Sequence, residues 1–141
     1  MKRINFKSKD GAVFIELALV MPILLLLVAG IVQFGFILNA KVAVNSASYE
    51  AARAATLAED PVGEALGSIQ NYASSTLPGW DFSERLKANV DISGTEPGDI
   101  VKVEVIYSIP VFFSKILPLP GSESGYADVC GVSVMRVEEK E

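Results

Sequence analysis

The hydrophobic positions of this chain are concentrated in one N-terminal block. From Ala12 to Leu38 almost every residue is apolar, and only Glu16 and Gln33 interrupt the run. As a helix, this block would be roughly 40 Å long at about 1.5 Å per residue, which exceeds the roughly 30 Å of a bilayer core. The apolar stretch of a secretory signal peptide has only about 7–15 residues. The pattern therefore predicts a transmembrane helix over residues 12–38.

The helical pattern continues beyond Leu38 with smaller side chains. Small apolar residues recur at spacings of three and four, which predicts a helix that packs closely on a neighbouring element: Ala40, Ala43, Val44, Ala47, Ala51 and Ala54, with Lys41, Asn45, Ser48 and Arg53 between them. Asp60-Pro61 interrupts this pattern, and Pro61 suits the first turn of a second helix that ends near Thr76. Residues 39–77 are therefore predicted to form a helical region outside the membrane.

Beyond Thr76 the period changes from helical to alternating. Leu86–Ile92 and Val101–Tyr107 alternate apolar with mostly polar residues on either side of a Gly94–Asp99 turn, which predicts a hairpin, and Val129–Val137 predicts a third strand. Residues 109–120 are apolar but contain three prolines, so they are predicted to be a loop rather than a central strand. Its aromatics either fold onto the sheet or helix or form a patch that contacts the membrane surface or a neighbouring subunit.

These elements predict an α+β fold. A long N-terminal helix, whose first half is transmembrane, precedes a second helix and a small antiparallel sheet of about three strands within residues 78–141.

The charge distribution predicts how the chain is oriented in the membrane. The net charge is −5. Residues 1–11 hold four basic residues and one acidic residue, and the remaining 8 basic and 16 acidic residues give −8. A basic head before an apolar helix predicts a cytoplasmic N-terminus and a periplasmic body, with residues 1–11 as a leader. An acidic chain without clustered Lys and Arg does not favour nucleic acid as a partner.

The residue types argue against an enzyme, a metal site or a bound cofactor. The chain has no histidine and one cysteine, so the commonest general base and a zinc ligand set are both missing from the sequence. No paired-carboxylate, phosphate-loop or calcium-loop motif appears. Cys130 lies in an apolar strand pattern, which favours a small buried hydrophobe over an intermolecular bridge.

The candidate functional residues lie at the start of the apolar block. Gly11 is followed by four hydrophobic residues and then Glu16, after a short basic segment. Cleavage after Gly11 would place the new ammonium group of Ala12 one helical turn from the Glu16 carboxylate, and a neighbouring subunit could then pair the two charges in a dry core. Alternatively, Glu16 simply reaches back to the lipid headgroups. Pro22 predicts a helix kink, which either only bends the segment or lets it pack along curved neighbours.

This N-terminal pattern resembles a known family. The segment Gly11–Pro22 (GAVFIELALVMP), with its basic leader, resembles the leader-peptide site of type IV pilins and pseudopilins, and more closely the TadE-like proteins of Tad/Flp pilus systems. The same resemblance extends to three later segments: Ile31–Gly35, Ala47–Arg53 and Val132–Val137. The related TadF type shares the N-terminal pattern.

The resemblance implies a function and its partners. It implies a minor pilin or pseudopilin in the bacterial inner membrane that serves pilus assembly or secretion and adhesion, and that can be incorporated into a surface pilus. It implies cleavage by a prepilin peptidase between Gly11 and Ala12, because a side chain at Gly11 would obstruct the peptidase, with Glu16 as the assembly partner of a neighbouring N-terminus. The implied partners are that peptidase, other pilin subunits, the inner-membrane assembly machinery and membrane lipid.

Two alternatives remain open at this point. An uncleaved single-pass scaffold in a membrane complex would pair Glu16 with a basic residue of a partner helix. A secreted binding domain, released by signal peptidase near Ala40, would begin at or near Lys41.

Overall fold

A computed structural model describes residues 8–76, 82–112 and 125–137 of the chain. Its elements are α1 (Ser8–Leu57), α2 (Pro61–Thr76), α3 (Phe82–Arg85), β1 (Leu86–Ile92), β2 (Ile100–Pro110) and β3 (Tyr126–Arg136). The predicted α+β fold, with a long apolar N-terminal helix and a three-stranded antiparallel sheet, is confirmed. The chain divides into two compact units, Met1–Gly35 and Phe36–Glu141.

The second unit is built on a sheet whose strand order is β1-β2-β3. Both neighbouring pairs are antiparallel, and Val105 at the centre of β2 lies opposite Ala88 of β1 and Gly131 of β3. The side chains of β2 alternate strictly, and one set is buried: Val101, Val103, Val105, Tyr107 and Ile109. This buried face belongs to one hydrophobic cluster with the helices, because a sheet with one apolar face needs a second layer to cover it.

The helical layer contributes small side chains to that cluster. From Ala40 to Ala55, α1 buries seven hydrophobic residues to 2% exposure or less, and all of them except Ala47 belong to the cluster: Ala40, Ala43, Val44, Ala47, Ala51, Ala52 and Ala55. Helix α2 adds Ala65, Ile69 and Ala73. The predicted close packing of α1 is confirmed, with two changes: Ala54 is only half-buried, and Ser48 is buried at 1% exposure. Burial of Ser48 is tolerated because its hydroxyl donates to the Asn45 carbonyl (2.8 Å).

Two aspartate side chains accept backbone hydrogen bonds at the start of α2 and in the turn of the hairpin. The Asp60 side chain accepts a hydrogen bond from the Gly63 N–H (3.2 Å), which caps α2 before Pro61 as the sequence indicates. In the turn between β1 and β2, the Asp99 carboxylate accepts the Glu96 N–H (2.9 Å). Gly98 adopts a φ of 100°, which a residue with a side chain rarely adopts.

The strand ends differ from the predicted ones. Central strand β2 runs on through Ile109 to Pro110, and β3 begins at Tyr126 rather than Val129, so the predicted loop over 109–120 starts too early. Pro110 is tolerated because its nitrogen faces no partner strand. The Val111 N–H donates to the Gly125 carbonyl (2.9 Å), so the nitrogen of the preceding Pro110 points to the opposite side of the strand. On that side, the pairing with β1 extends only as far as Tyr107. The rest of that segment, residues 113–120, lies outside the described residues, and the short helix α3 was not predicted.

The expected burial of Cys130 in the core is also wrong. Cys130 pairs with Ile106, one position out of phase with the buried residues of β2, so its side chain lies on the sheet face away from the helices, where it is half-buried. A strand alternates faces with every residue, and the apolar run of β3 does not reveal which set faces the core.

Candidate functional site

The first unit presents an apolar helix surface. Every side chain from Ala12 to Val28 is exposed, including Phe14 at 72% and Leu19 at 69%. Within the described residues, α1 from Gly11 onward is the one helix long and apolar enough to cross a membrane. No residue in its most apolar stretch is buried by the rest of the protein. Such a surface is stable in lipid rather than in water, so membrane anchoring is its direct physical consequence.

The predicted processing residues lie within the first turns of this helix. The Gly11–Ala12 bond follows the helix start at Ser8 by three residues. Ala12 and Glu16 are four residues apart, so the structure brings them together on one helix face. Among the described residues, the exposed Glu16 side chain has no hydrogen-bond or ion-pair partner.

Gly11 is not required by the packing of the chain. A Cβ atom built at Gly11 meets nothing within 4 Å, and the same is true of Gly30 and Gly35 in the same helix. What separates Gly11 from those two glycines is its position, because it is the last residue of the basic leader and lies five residues before Glu16.

Pro22 lies inside α1, and helix is assigned continuously on both sides of it. A proline there removes one backbone hydrogen bond, which membrane helices tolerate. The kink assigned to Pro22 therefore stays a prediction.

In the second unit, α1 and β3 meet through their backbones. A Cβ atom at Gly131 would lie 2.6 Å from the carbonyl oxygen of Val44 and 2.9 Å from the nitrogen of Asn45. Beside this contact, the Lys41 ammonium group donates a hydrogen bond to the carbonyl of Cys130. This contact between α1 and β3 was not predicted from the sequence, although a glycine inside a strand pattern often marks a close backbone approach.

Three other ionisable side chains of the second unit, Arg85, Tyr107 and Cys130, contact aromatic or charged neighbours. Arg85 lies 5.6 Å above the centre of the Tyr126 ring. Burial raises the pKa of Tyr107, although Arg85, which is close to it and shares a hydrogen bond with it, acts in the opposite direction. Burial, followed by the hydrogen-bonded Glu104 carboxylate (3.5 Å), raises the pKa of Cys130, which keeps its thiol protonated and weakly nucleophilic.

The described residues offer no catalytic or metal-binding constellation. No group of three His, Cys, Asp or Glu residues within residues 8–76, 82–112 and 125–137 could hold a metal ion. A cleft of about 590 Å³ is lined by residues of α1 and of the end of β3, namely Tyr49, Arg53, Thr56, Leu57, Met135, Arg136 and Val137. It contains neither a nucleophile paired with a base nor a pair of carboxylates.

Together, the described residues define a class of protein in which an apolar N-terminal helix suited to membrane anchoring precedes a small helix-and-sheet unit. Within that class, the family described as TadE-like protein matches residues 11–53, which confirms the resemblance seen in the sequence. The matched residues all lie within α1 and make up less than half of the chain. No curated protein and no solved structure matches the chain.

Proposed function

We propose that this protein is a minor pilin or pseudopilin of a Tad/Flp-type pilus or secretion system, with a structural role in pilus biogenesis and adhesion. The observation that carries the proposal is the TadE-like match over residues 11–53, which lies within α1 and includes the apolar stretch of that helix that the protein leaves exposed. The helix is anchored in the inner membrane, with its basic head in the cytoplasm and the acidic body in the periplasm.

The proposal includes cleavage by a prepilin peptidase between Gly11 and Ala12. The fold does not need a glycine at position 11, since a Cβ atom there has open space, so recognition by another molecule accounts for this residue better than packing does. The bond lies close enough to the helix start at Ser8 that unwinding a single turn exposes it to a peptidase.

Glu16 has the role of an assembly residue in this proposal. A carboxylate in a membrane helix costs about 2.5–3.5 kcal/mol at the centre and less toward the end. Cleavage creates a compensating cation at Ala12, one turn away, and the Ala12 ammonium group of a neighbouring subunit can supply the same charge. An unpaired Glu16 is therefore tolerated in a single subunit and becomes favourable when subunits pack together.

Continuity of α1 weighs against release of a secreted domain near Ala40. Ala40 is fully buried and lies well inside the α1 helix that runs from Ser8 to Leu57. Cleavage there would require unwinding a helix whose following turns belong to the hydrophobic core.

The test is the intact mass and N-terminal sequence of the protein from native membranes with and without the host's prepilin peptidase. We expect a chain that begins at Ala12 only when the peptidase is present. Gly11→Val should block cleavage, whereas Gly30→Val, a matched change at another open glycine of α1, should leave it intact. A chain that begins at Met1 in both strains would refute the pilin mechanism and leave the uncleaved scaffold as the better account.

Glu16 is tested separately, at the level of assembly. Glu16→Gln keeps the size of the side chain and removes its charge, so we expect normal cleavage and loss of the subunit from pilus fractions or from its assembly complex. Normal incorporation of Glu16→Gln would contradict the assembly role without affecting the processing site.

A further inference from the structure

We propose that the second unit rests on the outer surface of the membrane through an aromatic pair formed by Phe36 and Phe112. The ring centres of the two residues are 6.5 Å apart and their planes are inclined by 57°, a geometry of direct aromatic contact. Both residues belong to the Phe36–Glu141 unit. The partner is lipid, and the contact does not depend on whether the chain is cleaved or assembled.

Both aromatic rings are exposed, and the backbone next to Phe112 is held in place by burial and a hydrogen bond. Phe112 is 69% exposed and Phe36 is 39% exposed. Directly before Phe112, the Val111 side chain is buried at 6% exposure and its N–H donates to the Gly125 carbonyl (2.9 Å). Because Val111 is buried and hydrogen-bonded in this way, the fold itself places the next residue, Phe112, at the surface.

The position of Phe36 along α1 corresponds to the outer edge of the bilayer. Between Glu16 and Lys41 the sequence contains no charged residue, a stretch of 24 positions. As a helix this stretch measures roughly 36 Å, against a hydrocarbon core of about 30 Å. Phe36 lies five positions before Lys41, about 7.5 Å along the axis, which is the depth at which a membrane helix leaves the hydrocarbon.

Lipid fits this patch better than a protein partner for two reasons. The patch extends along α1 within the second unit, since Leu38, two residues after Phe36, is also apolar and 49% exposed. In addition, no charged residue occurs in the Ser108–Phe112 stretch that supplies the second aromatic. The acidic body, with a net charge of −8 beyond the leader, has no electrostatic attraction to anionic lipid, so the contact must be apolar and insensitive to salt.

The test uses tryptophan placed at position 112 of the full chain. Trp80→Phe removes the only native tryptophan, and Phe112→Trp then reports contact with lipid after reconstitution into phosphatidylcholine vesicles that contain lipids brominated on the acyl chains. The control is Val134→Trp in the same background. Val134 is 59% exposed and pairs with Lys102, eight residues along β2 from Pro110, or about 26 Å away.

We expect the tryptophan at 112 to be quenched several-fold more strongly than the tryptophan at 134, with the same ratio at low and high salt. Equal quenching at the two positions would overturn the proposal. Emission at 112 that is shifted to the blue but not quenched by brominated lipid, and that depends on the ratio of protein to lipid, would also overturn it, because the patch would then contact a second protein. Both positions are exposed, so neither variant removes a core side chain.

Discussion

The contact between α1 and β3 provides the sharpest test of the fold. Gly131→Ala adds one methyl group to a strand that touches helix backbone. The new Cβ atom would lie 2.6 Å from the Val44 oxygen and 2.7 Å from its carbonyl carbon, whereas ordinary van der Waals contact begins at 3.4 Å. Because these are backbone atoms, no side-chain rotation relieves the clash, and α1 must move away from β3 by several tenths of an ångström.

The expected cost follows from two opposing effects. Overpacking a well-packed core costs about 1–3 kcal/mol. Replacing glycine by alanine also reduces the freedom of the unfolded chain, which stabilises the fold by about 0.4–1 kcal/mol. The first effect is larger, so we expect Gly131→Ala to lower the free energy of unfolding of the second unit by about 1–2 kcal/mol.

The assay is hydrogen exchange of the β2 amides, measured by mass spectrometry on the full chain in detergent micelles. A loss of about 1–2 kcal/mol should speed exchange of these amides by a factor of about 5–30. The matched control is Gly67→Ala on the exposed surface of α2, where a Cβ atom meets nothing within 4 Å. Alanine is the better helix former there, by about 0.8–1.0 kcal/mol, so this control should slow exchange or leave it unchanged.

Unchanged protection of β2 in Gly131→Ala would refute the reasoning. It would mean that the helix and the strand are further apart than the described contact, or that α1 can shift on the sheet without cost. Faster exchange in both glycine variants would also count against it, since the effect would then not depend on the contact with Val44.

The remaining predictions concern two ionisable groups and one proline. The raised pKa of Tyr107 means that the folded chain holds the phenolic proton more tightly than the unfolded chain, so stability is complete below the ordinary pKa of about 10 and falls as pH rises through the raised value; urea midpoints should show this fall, and Tyr107→Phe should reduce it. The raised pKa of Cys130 predicts slow alkylation by iodoacetamide at pH 8, and Glu104→Gln should accelerate it, as followed by intact mass. Pro22→Ala should be as resistant to extraction from membranes by carbonate as the native chain, and a clearly greater resistance of the alanine variant would contradict the tolerance argued for proline at that position.

Periodicity was sufficient to predict α1, α2 and the three strands, though not the short helix α3, because burial has a distinct period in helices and strands. The alternation around Val103 and Val105 located the central strand, and the small residues at spacings of three and four located the buried face of α1. The proposed processing site could be suggested from sequence for a different reason: Gly11, the basic leader and Glu16 lie within the first 16 residues, and their spacing needs no tertiary contact to be recognised.

The features that sequence reasoning missed depend on contacts between distant residues. Whether Cys130 faces the core or the opposite side is decided by its pairing with Ile106, and that register is not written in the local sequence. Pro110 could close a central strand only because β1 ends before reaching it. The close approach of Val44 to Gly131 joins residues 87 positions apart, and the single glycine was its only local sign.

The alanine face of α1 has a mechanical consequence within the second unit. Between Ala40 and Ala55 the helix contributes mainly alanines to the hydrophobic cluster, so its contact with the other elements consists of many short side chains instead of a few long ones. Sliding this part of α1 along the sheet would break many of these small contacts at once. A force applied along the helix is therefore shared by the whole contact surface and is not carried by any one residue.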